Sequence, residues 1–305
     1  MRSAENSISG RITLICLIFF TLFHFSEALS NEKFIIFSSS DELREQSRLI
    51  LEASYQEISQ SLQDSLSRVV TVYIADTDEE FRERAGNTFP DWGIGCAVPS
   101  HHLIVLKSPA RFKYGKSLNQ LLRHELAHIF LGAKVKPGNM PRWLDEGFAM
   151  MHSHEWTLGQ DIVVARAVLT NSVFPLTHIE RLNSFQESKA NLAYTLSFLA
   201  VSYLIREYGR ESLVDAVQLL SQDKNWNEVF LETTGSKYRD FQREFLDSVK
   251  ARYRWISFLG DTFFFWLGLA LLVVFVYLLK RRHTKRILKR WEDEEKGLRY
   301  ESETD

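Results

Sequence analysis

The sequence predicts an α+β fold, with strands gathered in the first third of the chain and helices filling the rest. Three observations predict it: short apolar or β-branched runs before residue 107, apolar residues at helical spacing from residue 118 onward, and an uncharged stretch near the C-terminus. Lys33 to Ser38 reads as a strand, residues 41–65 as a long amphipathic helix, and Val69 to Ile74 as a second strand. A loop rich in Gly, Pro and Asn around residues 86–100 leads to the third strand, His102 to Leu106. Downstream, residues 188–208, 211–221, 225–235 and 237–255 read as helices.

The central helix carries the chemistry. Within LNQLLRHELAHIFLG, Leu118, Leu121, Leu122, Leu126, Ile129 and Phe130 recur at helical intervals, and Gly132 reads as the C-terminal stop. On that helix His124 and His128 are four residues apart and share a face, so both imidazoles can direct a nitrogen at one metal ion. Glu125 stands beside the pair, placed to reach a water on the metal as a general base without ligating it.

A hydrolytic zinc site takes three protein ligands and keeps one position for water. The segment PRWLDEGFA offers the third. Pro141 suits a helix first turn, Trp143, Leu144 and Phe148 supply apolar anchors, and Glu146 is the expected ligand. Asp145 projects about 100° away around that helix. It reads either as a hydrogen-bond partner of a ligand histidine or as part of a solvated acidic face.

HELAH followed by Glu146 within WLDEGFA resembles the gluzincin metallopeptidases, the thermolysin and zinc aminopeptidase superfamily, and more narrowly the peptidase MA-like domains of bacterial envelope proteins. The likeness covers residues 33–255 in layout, and its specific part is residues 118–150. The resemblance implies a thermolysin-like zincin domain, with a small mixed sheet, a zinc helix, a glutamate-bearing helix and a helical C-terminal half. It implies Zn(2+) on His124, His128 and Glu146, with Glu125 as base. It also implies that residues 95–106 lie along the cleft edge, where an extended peptide substrate would add as a strand. The segment NLAYTLSF resembles the family helix that carries an aromatic hydroxyl toward the cleft. Tyr194 there has two readings: a donor to the tetrahedral oxyanion, or a core tyrosine whose hydroxyl is tied to backbone.

The remaining histidines stand outside the expected site. His152 and His154 face different sides of a helix and read as solvated, His101 and His102 point to opposite faces of a strand, and His178 has no sequence partner. Cys16 and Cys96 are the only cysteines, and Cys16 lies in an N-terminal apolar segment, so an internal disulfide is not expected in the mature domain. Cys96 reads as a small semi-buried residue near the edge strand, in preference to an inhibitory thiolate on the metal.

Two apolar segments place the chain. Residues 12–25 follow Arg2 and Arg11 and precede small residues suited to cleavage after Ala28 or Ser30, so residues 1–30 read as a signal peptide. Thr262 to Leu279 is uncharged, and its 18 residues cover about 27 Å, enough to cross a bilayer. Trp255, Trp266 and Tyr277 fall near its ends, and a run of Lys and Arg from Lys280 to Arg290 follows. The expected layout is an extracytoplasmic domain at 31–256, a transmembrane helix at 257–279 and a cytoplasmic tail at 280–305. That makes a single-pass type I protein of the inner membrane whose domain faces the periplasm or exterior. The net charge of −2 offers no basic surface for nucleic acid. The expected activity is peptide-bond hydrolysis by a zinc-activated water. The alternative is an inactive, zinc-stabilised module that binds peptides in the cell envelope. Endopeptidase is favoured over aminopeptidase because no Gly-rich exopeptidase pattern stands near residues 85–100.

Overall fold

The structure is a computed structural model that describes residues 32–86, 93–113 and 115–302. The N-terminal apolar segment, with Cys16 and the expected cleavage positions, lies outside the described residues. The chain forms two compact units, one from Met1–Val164 with Val173–Asp247 and the other from Ala165–Ser172 with Ser248–Asp305. In order, the elements are β1 (Phe34–Phe37), α1 (Asp41–Leu62), β2 (Val70–Ala75), α2 (Asp78–Ala85), β3 (Gly95–Val98), β4 (Leu103–Lys107), α3 (Leu118–Lys134), α4 (Arg142–Ser153), α5 (Leu158–Leu169), α6 (Glu187–Tyr208), α7 (Glu211–Ser221), α8 (Trp226–Thr234) and α9 (Tyr238–Ser302). Short 3-10 segments occupy Pro99–His101 and Leu176–Ser184. The α+β class and the small mixed sheet are as expected.

Within the first unit the strand order is β1-β2-β4-β3, with β1, β2 and β4 parallel and β3 antiparallel to β4. In β1, Phe34 and Ile36 are buried while Ile35 and Phe37 are exposed, the period-2 alternation of a strand covered on one face. Leu51, Tyr55 and Ile58 of α1 are buried, and Tyr55 meets Phe34 edge-on at 6.0 Å between ring centroids. On its other side Tyr55 meets Phe130 of α3 at 5.0 Å, so the central helix is tied through α1 to the sheet. A capping box fixes where α3 begins: Ser117 Oγ accepts from Gln120 N–H, and Gln120 Oε1 accepts from Ser117 N–H at 2.9 Å.

Four local expectations need correction. Gly132 does not end α3, which continues to Lys134 and is capped at Val135. Its lack of a side chain instead allows close approach, because a Cβ there would fall within 3.0 Å of the Pro99 ring. Of residues 95–106, expected along the cleft edge, the β4 part lies inside the sheet. The edge position belongs to β3, a four-residue strand inside the segment read as a loop. His101 and His102 are not on a strand: His101 closes the 3-10 turn, and His102 is left-handed at φ 49° and buried. Finally α2 was not anticipated, since Phe81 is its only buried residue.

In the helical part of the first unit, Trp143 of α4 is fully buried and packs on Trp226, Tyr238 and Phe241 at 5.8, 6.3 and 5.9 Å. Aromatic packing at these separations anchors the helix that carries Glu146. The second unit is dominated by the later part of α9. This helix runs unbroken from Tyr238 to Ser302, and Phe264–Trp291 is long and apolar enough to cross a membrane.

Candidate active site

Two helices build the site. Leu122, Leu126 and Ile129 bury the back of α3, which leaves His124, Glu125 and His128 along a cavity of about 560 Å³. From α4, Glu146 enters the same cavity, joined by Tyr194 of α6 and by Gly95 and Cys96 of β3. Glu146 Oε2 lies 3.5 Å from His124 Nε2 and 3.6 Å from His128 Nε2, and one donor atom from each residue falls within 4.8 Å of the others. Ligand atoms around a tetrahedral zinc with bonds of roughly 2 Å stand about 3.3 Å apart, so the spacing suits one small cation. Glu146 Oε2 is buried and accepts no hydrogen bond among the described residues, while its Oε1 is held by Arg142 Nη2 at 2.9 Å. A carboxylate with one oxygen neutralised and the other aimed between two imidazoles fits a monodentate ligand.

Charged neighbours orient both imidazoles. His128 Nδ1 donates to Asp145 Oδ1 at 2.7 Å, which settles the two readings of Asp145 in favour of the hydrogen bond. His124 Nδ1 lies 3.2 Å from Glu155 Oε1, off the line of a hydrogen bond, and Glu155 is itself paired with Lys116 at 2.6 Å. In both cases Nε2 is left for a metal. Glu125 is buried, and a Cβ at residue 95 would come within 2.6 Å of its Oε1, so the edge strand passes directly beside this carboxyl.

The family model for the peptidase MA superfamily matches residues 56–251, from within α1 to within α9. The chain belongs to the peptidase MA superfamily. Among curated proteins none matches the chain. The match covers α3 and α4, so the His-His-Glu group lies inside the peptidase MA domain.

Electrostatics in this peptidase MA domain follow from burial and close charges. Burial alone would raise Glu146, but His124, then His128 and Arg142, hold it down at about 2. Burial alone would lower His124, and the carboxylates of Glu146 and Glu155 outweigh it, raising the pKa to about 10. His128 is raised against burial by Asp145 and then Glu146. Glu125 is raised chiefly by burial, as suits a stronger base. Tyr194 is raised by burial and by the charge of Glu146, which keeps its hydroxyl protonated as a donor. The Cys96 thiol is pushed up to about 12 by burial and by Glu125, so it stays a neutral small residue.

One expectation follows from the imidazoles. Both imidazoles hold their protons more tightly than a free histidine does, so a metal competes with those protons and its affinity rises with pH. Calorimetry in buffers of different ionisation enthalpy is expected to show net proton release on metal binding near pH 7. No proton release would contradict the charge assignment.

Sequence reasoning missed Glu155, Lys116 and Arg142, all of which touch the metal-facing residues or their partners. Arg142 sits four residues before Glu146 on one helix face, a spacing that could have flagged it. Glu155 and Lys116 carry no such local pattern. His152 also needs correction. It is 4% exposed and packs on Phe148 at 4.4 Å, with Glu57 Oε1 3.5 Å from its Nδ1, whereas His154 is solvent-exposed. His178 stacks at 6.3 Å on Phe174, and neither it nor His101 lines the cavity.

Proposed function

We propose that the chain is a membrane-anchored, zinc-dependent metallopeptidase with a thermolysin-like catalytic domain. The reading rests on one observation above all: a buried glutamate oxygen of α4, without a hydrogen-bond partner among the described residues, stands between two imidazole nitrogens of α3, and a second buried carboxyl, Glu125, is on α3 beside them. His124 and His128 through Nε2 and Glu146 through Oε2 would hold the ion. When bound, zinc supplies Lewis acidity for a carbonyl and brings the pKa of water toward about 7.

Glu125 takes the proton of the attacking water and passes it to the leaving amine nitrogen. Tyr194 donates its hydroxyl to the oxygen that gains charge as the tetrahedral species forms. The β3 edge beside Glu125 offers backbone groups to an extended peptide, which favours polypeptide over small substrates. In the proposed layout residues 1–30 are the signal peptide, 31–256 the extracytoplasmic domain, 257–279 the membrane helix and 280–305 the cytoplasmic tail.

The test is cleavage of an unfolded protein by the purified full chain with metal content measured in parallel. Cleavage that a chelator stops and zinc restores, with one metal per chain lost in His124→Ala, is the expected result. Cleavage indifferent to chelation would overturn the metal reading. A metal-loaded chain that cuts nothing would leave the peptide-binding scaffold instead.

A further inference from the structure

The segment beyond the apolar stretch of α9 has a composition and phase that the peptidase reading does not use. From Thr262 to Trp291 the sequence contains no Asp or Glu, while Lys280, Arg281, Arg282, Lys285, Arg286, Lys289 and Arg290 fall within eleven positions. The structure keeps this segment helical and its cations exposed. At about 100° per residue, Arg281, Lys285, Lys289, Arg282, Arg286 and Arg290 sweep one broad side of the helix. Thr284, Ile287, Leu288 and Trp291 occupy the complementary arc, which Lys280 enters only at the start of the run, and there Leu288 is 50% and Trp291 63% exposed.

A uniformly basic run would read as a simple topological flank. Here the cations border an apolar arc that ends in tryptophan, the residue type favoured at the membrane interface, and the acidic residues begin only at Glu292. The arrangement forms the C-terminal part of the Phe264–Trp291 stretch, following directly on the uncharged run that ends at Leu279. Exposed cations flanking apolar side chains just beyond an uncharged span are complementary to anionic headgroups above acyl chains.

We propose that Arg281–Trp291 is a lipid-binding helix that recognises anionic phospholipid, seating Ile287, Leu288 and Trp291 at the headgroup boundary with the flanking Lys and Arg on lipid phosphates. It rests on the membrane-anchored reading above, and independently of the chemistry of the metal cavity.

The test uses the full chain reconstituted in vesicles of phosphatidylcholine, with or without phosphatidylglycerol as a third of the lipid. In each mixture one lipid carries brominated acyl chains that quench nearby tryptophan. Subtracting Trp291→Phe from the parent chain isolates the Trp291 signal. The expected result is Trp291 quenching at least twofold stronger by brominated phosphatidylglycerol than by brominated phosphatidylcholine. The preference should fade at high salt and vanish in a variant with Arg282, Lys285, Arg286 and Lys289 all changed to Gln. Equal quenching by both lipids, or none, overturns the proposal while leaving the membrane anchor intact. Cross-linking of Trp291→Cys chains into dimers without lipid quenching overturns it too, and assigns the apolar arc to a second copy. A chain that leaves the vesicles in an alkaline carbonate wash overturns both the anchor and this proposal.

Discussion

Glu125→Gln is expected to lower peptide hydrolysis by about 10² to 10⁴-fold, the usual contribution of a positioned general base, while the metal content stays unchanged. The side chains are nearly isosteric, and Glu125 is not among the three residues whose donor atoms converge, so nothing that would hold the ion is removed. The carboxyl is buried and pressed against β3, where a Cβ on residue 95 would already be too close. A glutamine fits that space but cannot accept the proton. Loss of metal in Glu125→Gln would mean that this carboxyl helps to hold the cation. Full activity with metal retained would remove it from the reaction. Measuring hydrolysis and metal stoichiometry on the same preparation keeps the two results apart.

The legible part of the site is the part written in local spacing. His124, Glu125 and His128 are fixed by one helix turn, and Asp145 and Glu146 by their places on the next helix, so a period of 3.6 residues is enough to find them. The side chains behind them arrive through tertiary structure. Glu155 follows the left-handed turn at His154 and reaches His124 across the fold, paired with Lys116, which precedes the cap of α3. No periodicity relates positions 116, 124 and 155.

The same physics explains the local errors in the fold. β3 reads Gly-Cys-Ala-Val, lacking the aromatic and β-branched run that marks β1 at the same length, and α2 has a single apolar anchor, although Thr77 with Glu80 three residues on is a recognisable start signal. Gly132 was read as a stop because glycine at a helix end commonly adopts a left-handed conformation. Here it lies within the helix because Pro99 comes close. A glycine records an absence of bulk, and sequence alone does not say whether a turn or a neighbour demands it.

Gly147 makes that demand testable. It follows Glu146 on α4, and a Cβ there would fall within 3.0 Å of the carbonyl oxygen of Ser197 and of a Val201 methyl, both on α6. Alanine is favoured over glycine within a helix by roughly 1 kcal/mol. That gain is outweighed because one of the two obstacles is main chain, which cannot rotate aside as a side chain would, so α4 and α6 must separate. Gly147→Ala is therefore expected to destabilise the domain by a net 1–3 kcal/mol or so, lowering its melting temperature by roughly 2–12 °C. Because Glu146 rides on α4 and Tyr194 on α6, the displacement also moves the proposed metal ligand against its neighbours, and metal affinity should fall with stability. Thermal melts with and without added zinc measure both effects. Val201→Ala tests the cause: removing the movable obstacle should recover only part of the loss, since the Ser197 carbonyl remains. An unshifted melt in Gly147→Ala would show that the two helices have room to spare, and that the packing of α4 on α6 does not set the position of Glu146.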